Sequence, residues 1–154
     1  MSLRPRSSTA GITLLELLFV LAIIGTLAAL AQTGYSSYRN TVNIAGAVAD
    51  IESISSAINH GTLDEGLPPP PTLDSINMGG MLDPWGNPYQ YINHSTTPKG
   101  HWRKDRFIVP INSDYDLYSM GPDGQSVAPL TAKASQDDII RANDGAYVGP
   151  ASGY

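Results

Sequence analysis

A carboxylate stands inside an apolar run: Glu16 lies in "AGITLLELLFVLAIIGTLAALA". Near the middle of a bilayer helix such a charge costs about 2.5–3.5 kcal/mol. Glu16 must therefore be harmless by position or have a partner. The other acids that could do chemistry are Asp123 in "GPDG" and Asp137 and Asp138 in "QDD". They are oxygen donors on an irregular segment, but Gly-Pro-Asp-Gly is also a turn sequence and Asp137 could cap a short helix. His60, His94 and His101 lack metal-ligand spacing, and no serine has the surroundings of a nucleophile. No enzyme is expected. "NHS" at Asn93 matches a glycosylation acceptor, by chance as easily as by design.

The elements that must position these residues begin with the apolar run. Residues 14–31, with Ile12 and Thr13, reach the ~20 needed to cross a hydrocarbon core as one helix. Arg4 and Arg6 are the charges in front of it, which predicts a cytoplasmic N-terminus and an extracytoplasmic head. A secretory signal cut after "ALA" at residues 29–31 is the competing reading, but the run is long for one and the periodic sequence continues beyond it. The net charge of −5 does not suggest a nucleic-acid surface, and no nucleic-acid partner is expected. Arg103, Lys104 and Arg106, interrupted by Asp105, read as a solvated face or loop. Cysteine is absent, so any staple in the head must be something else.

Beyond the run, Tyr35, Tyr38, Val42, Ala45, Val48, Ile51, Ile54 and Ile58 recur at three and four, with polar residues between them. The helix is expected to continue amphipathically to about His60, about 75 Å at 1.5 Å per residue, with Gly61 as its stop. Pro68 to Pro71 break the period and predict an extended connection, or else a proline-rich ligand segment. After them, short runs bounded by turn residues predict a small antiparallel sheet, with candidate strands at 89–92, 106–111 and 115–120. Trp85, among Pro84, Gly86 and Pro88, is expected to anchor the sheet on the helix. The fold class is α+β: helix 12–61, of which 12–31 is the membrane segment, then a head at 62–154.

The residues also carry a resemblance. "GITLLE" resembles the cleavage and methylation signature of the type IV pilin-like family, with Ile12 where phenylalanine is commonest. "LDPWGNPYQY", "DYDLYSMGPDG" and "DDI" are similar to the major pseudopilins of type II secretion systems, and the similarity covers nearly the whole chain, with insertions. The resemblance implies that residues 1–11 are a leader, that a prepilin peptidase cuts after Gly11, and that the amine of Ile12 is methylated. It implies that Glu16 then lies near the membrane face and meets the N-terminal amine of a neighbouring subunit; the bland reading is a carboxylate snorkelling to headgroups. It also implies a C-terminal loop held by Ca2+ through Asp123, Asp137 and Asp138, with Ser119 as a further oxygen, although "QSVAPLTAKASQ" is longer than the usual link between those acids.

Two function classes follow from the resemblance. One is a structural subunit of a pseudopilus, a homo-oligomeric helical filament built at the inner membrane on an assembly platform with minor pseudopilins. The other is a type IV pilus subunit, major or minor, whose head binds a surface or DNA. In both the chain begins as a single-pass inner-membrane protein with a periplasmic head.

Overall fold

The computed structural model describes residues 11–64 and 66–154. Arg4 and Arg6, with the rest of the expected leader up to residue 10, lie outside the described residues. The chain divides into two compact units, Met1–Arg39 and Asn40–Tyr154. Helix α1, Leu14–Asn59, contributes residues to both. It ends one residue before the expected stop region and gives way to a single π-helical turn, His60–Asp64.

In the first unit the apolar residues of α1 are exposed. Leu14, Phe19, Leu21, Ile24 and Leu30 all lie open to the surroundings. The helix is long and apolar enough to cross a membrane. The rows of side chains here are apolar all round, which suits lipid or other helices rather than one buried face.

In the second unit α1 becomes one-faced. Ala47, Ile51, Ile54 and Ile58 are buried, spaced by four, three and four, so they form one stripe. The expected stripe was displaced at its start: Val42 and Ala45 are exposed, and Ala47 is the innermost small residue in their stead. Small residues there let the "DPWG" turn come close, and a Cβ on Gly46 would lie 3.2 Å from the Pro84 ring.

The sheet is fully antiparallel in the order β1-β2-β3-β4: Gln90–Asn93, Tyr115–Ser119, Ile139–Ala142 and Tyr147–Pro150. Tyr91 pairs with Leu117, Ser119 with Ile139, and Ile140 with Gly149. Alternation along the strands makes two apolar layers. Tyr115, Leu117 and Ile139 join the α1 stripe with Leu73 and Tyr89, and Trp85 packs half-buried against this layer as expected. Ile140 and Ala142 turn to the opposite face, where Ile111, Leu130 and Ala151 cover them. Tyr89 ties sheet to helix by donating its hydroxyl to Asp50 at 2.7 Å. Burial, then that carboxylate, pushes the phenol well above its usual range.

Several expectations need correction. Residues 106–111 are not a strand: the chain reverses between Asp105 and Ile108, which pair as an isolated bridge, and Phe107 at the tip is 98% exposed. A tight reversal leaves no run long enough for a ladder, and Pro110 brings no N–H to one. Ile139–Ala142 is strand β3, not a helix capped by Asp137. The C-terminal segment, expected to be a loop, supplies β4 and a closing 3-10 turn, Ala151–Gly153. The proline segment is a connection: the carbonyls of Pro69 and Pro70 accept from Asn93 Nδ2 at 3.0 Å, and Pro70 also from Tyr91. That bonding buries the Asn93 amide, which removes it as an exposed glycan acceptor.

Candidate functional site

The first chemical site is the start of α1. Gly11 and Ile12 precede the helix and are exposed. Thr13 and Glu16 then bond reciprocally. The Glu16 N–H donates to the Thr13 hydroxyl at 3.2 Å, and the Glu16 carboxylate accepts from the Thr13 N–H and hydroxyl at 3.4 Å. This is a capping box: a Thr at the N-cap, a Glu three residues on, each satisfying an amide that the first helical turn leaves without a partner. The carboxylate also sits where the helix macrodipole favours negative charge. Glu16 therefore has local partners within its own chain.

The second site is the segment from β2 to β3, which holds the four residues expected to take calcium. Gly121 opens it with φ +64°, and a Cβ there would collide with the Asp137 carbonyl oxygen. Only glycine fits that turn. Ser119, fully buried, donates its hydroxyl to Asp83 Oδ2 at 2.5 Å and accepts from the Gly121 N–H at 3.0 Å. Asp83 in turn accepts the N–H groups of Trp85 and Asn87 at 3.0 and 2.8 Å, and Asn87 Nδ2 donates to the Gly121 carbonyl at 2.9 Å. The "DPWGN" and "SMGPDG" strings are thus one interlocked pair of turns.

Asp123 is exposed and its Oδ1 accepts the Gln125 N–H at 2.8 Å, an Asx-type turn. Asp137 Oδ2 lies 3.4 Å from the Asp123 N–H. Both line an open cavity of about 780 Å³ together with Lys133, Trp85 and Ile139. Asp138 is elsewhere. It is fully buried, and its Oδ2 accepts from Arg103 Nη2 at 2.6 Å and from the Ser126 hydroxyl at 2.5 Å. Burial pushes the Asp138 carboxyl up to about 6, against the lowering effect of Ser126 and Arg103.

The residues present therefore make a poor fit to calcium. The ion needs six to eight oxygens converging at 2.3–2.6 Å. Here Ser119 Oγ is committed to Asp83, one Asp138 oxygen to a guanidinium, and one Asp123 oxygen to a turn amide. Among the described residues no three His, Cys, Asp or Glu side chains are grouped to hold a metal ion.

Three buried polar residues were not found from sequence as parts of this construction. Arg103, read as part of a solvated face, is 5% exposed. Asp83 looked like one turn residue among several. Arg141 is fully buried, bidentate to Asp114 at 2.8 Å through both terminal nitrogens, with its guanidinium over the Tyr115 ring at 4.0 Å. A signal for Arg141 existed: a lone cation inside "DDIIRAND", next to two isoleucines, cannot be solvated by its neighbours and must find an acid across the sheet.

Comparison with known proteins gives a consistent set of relatives. The chain is 33% identical over 140 residues to type II secretion system core protein G of Pseudomonas aeruginosa, covering 78% of this chain and 88% of that protein. It is 31% identical over 157 residues to the protein of that name from Escherichia coli K12, covering 89% and 93%. The Vibrio cholerae protein of that name is 29% identical over 134 residues, covering 75% and 82%. No protein-family model matches the chain. No solved structure matches it significantly.

Proposed function

The chain belongs to the type II secretion system core protein G family, and we propose that it is the subunit that polymerises through its N-terminal helix into a pseudopilus driving protein export. The observation that carries this reading is the state of α1. Its apolar residues between 14 and 30 stay exposed while Ala47, Ile51, Ile54 and Ile58 are packed into the head. An apolar surface of that length needs a covering, first lipid and then the helices of other copies.

The steps around that helix follow. A prepilin peptidase removes residues 1–11, and the new amine at Ile12 is methylated. Cleavage leaves the Thr13–Glu16 box just inside the new N-terminus, so the carboxylate that caps its own helix is also in reach of another subunit's amine. The basic residues Arg4 and Arg6 keep that end cytoplasmic until then, with the head in the periplasm. Assembly takes place on the inner-membrane platform together with minor pseudopilins.

The test is the mature protein and what it builds. Intact mass spectrometry is expected to find Ile12, methylated, at the N-terminus, and electron microscopy to find filaments that depend on the secretion machinery. A mature chain beginning at Gln32 means a cleaved secretory signal and sinks the filament reading, because the polymerising helix is then gone. Ile12 without a methyl group removes the methylation step alone.

A further inference from the structure

We propose that Arg103 takes the place of a bound cation in this head: its guanidinium, sealed against Asp138 and Tyr118, closes the loop between β2 and β3 without calcium. The inference concerns the head alone and stands whether or not the chain builds a pseudopilus.

The side chain is held from two directions. Nη2 meets Asp138 Oδ2 at 2.6 Å, and the guanidinium carbon lies 4.4 Å from the centre of the Tyr118 ring. Its backbone is fixed independently. The Arg103 N–H donates to Asp116 Oδ2 at 2.7 Å, and its carbonyl accepts from the Ile111 N–H at 3.2 Å. Asp116 is anchored by His94 at 3.0 Å and by Asn112 at 3.0 Å. The arginine thus arrives in a set position on a segment that is itself a long excursion between β1 and β2, residues 94–114.

What it reaches is the junction of the loop. Ser126 donates to the same Asp138 oxygen, and Ser135 is bonded to both the N–H and the carbonyl of Val127, which pins the far limb. The Leu130 N–H donates to the Lys104 carbonyl at 3.0 Å, one residue from Arg103. The Asp138 carbonyl accepts from the Ala151 N–H at 2.8 Å, which brings in the C-terminal turn. Arg103 and Ser126, remote in sequence, meet at the Asp138 carboxylate, and the C-terminal turn joins them at its main-chain carbonyl.

The electrostatics favour one cation over two. A divalent ion on Asp138 would lie within a few ångströms of a guanidinium already bonded to that carboxylate, in a buried setting that screens the two charges poorly. The remaining valences are complementary: Asp138 Oδ1 and Arg103 Nε are both buried and without partners, an acceptor and a donor on the two halves of one pair. A metal would satisfy only the first and leave the guanidinium N–H unpaired.

The experiment uses the full chain in detergent micelles, with thermal melts in millimolar calcium or in EGTA and trypsin cleavage after Lys133 as the readout of loop closure. The native chain is expected to melt at the same temperature in both solutions. Arg103→Met is expected to lower Tm by several degrees and to speed cleavage at Lys133 tenfold or more, with Arg103→Lys in between. Removing both charges together, Arg103→Met with Asp138→Asn, is expected to recover part of the loss, because neither partner is then stranded. That double variant keeps the question open to measurement if a single variant fails to fold. A rise of several degrees when calcium is added to the native chain, abolished by Asp123→Ala, would overturn the proposal. So would loop protection in Arg103→Met equal to that of the native chain.

Discussion

Glu16 stands in an apolar run and Asp138 is fully buried, and the chain treats the two carboxylates differently. Glu16 is satisfied by the cap of its own helix, so the charge and the hydrogen bonds can be separated by substitution. Glu16→Gln keeps an acceptor for the Thr13 amide and is expected to leave helix and membrane insertion intact while filament yield falls. Glu16→Ala is expected to lower the yield at least as far. Stranding a buried amine costs about 3–5 kcal/mol, less where water reaches it. Native yield from Glu16→Gln would assign the residue to capping and not to pairing. For Asp138 the folded-state pKa of about 6 is above the ordinary value of 3.8 because burial outweighs Ser126 and Arg103. The folded state therefore holds the proton more tightly than the unfolded one. Stability is expected to be greatest below pH 4 on this account, to fall as pH rises to about 6, and then to level off. A rise in pKa of that size is worth about 3 kcal/mol. Denaturation of the native chain and of Asp138→Asn between pH 4 and 8 isolates the effect, and a difference between the two that is flat across this range contradicts it.

At the scale of elements, the turns carry more of the specificity than the strands. Asp83 gathers two backbone amides and the Ser119 hydroxyl into one buried carboxylate. Asp83→Ala leaves these donors without a partner, at about 1–3 kcal/mol for each that water cannot reach. A loss of only a few tenths of a kcal/mol in urea titration would mean that the interlocked turns hold by packing. What could be read in sequence divides along physical lines. Helix α1, strands β1 and β2 and the anchoring Trp85 were legible because periodicity or turn chemistry marks them locally. Strands β3 and β4 were not. The four residues of β3 are buried on both faces, so they show no alternation, and β4 ends in Gly149 and Pro150, which read as loop. Glycine at 149 answers to a side-chain position that the sequence does not show: the Tyr147 ring takes up the space a Cβ would fill, on its way to donate a hydrogen bond to the Pro150 carbonyl. The site was half legible. Glu16 and its neighbours stand together in the sequence, whereas Arg103 and Asp138 meet across 35 positions and only the fold pairs them.

At the scale of the molecule, α1 serves two bodies, and the division at Arg39 and Asn40 sets where the chain can be cut. The head's helix-side core is built on Ala47, Ile51, Ile54 and Ile58, packed on Leu73, Tyr89, Tyr115, Leu117 and Ile139. Among the described residues, none of the apolar first half belongs to either core layer. A chain beginning at residue 40 therefore keeps the whole core and sheds the surface that needs lipid. It is expected to be soluble without detergent and to melt cooperatively within a few degrees of the full chain. A chain beginning at residue 60 loses the helix stripe. Each buried isoleucine is worth about 2–5 kcal/mol when truncated to alanine, so losing three of them approaches or exceeds the ~5–15 kcal/mol of a typical domain. That chain is expected to show no cooperative melt. Circular dichroism on the two truncations decides the matter. If the longer one fails to fold, the first half of α1 contributes to the head's stability. If the shorter one folds, the sheet and its second apolar layer, around Ile111, Leu130 and Ile140, form a domain without the helix.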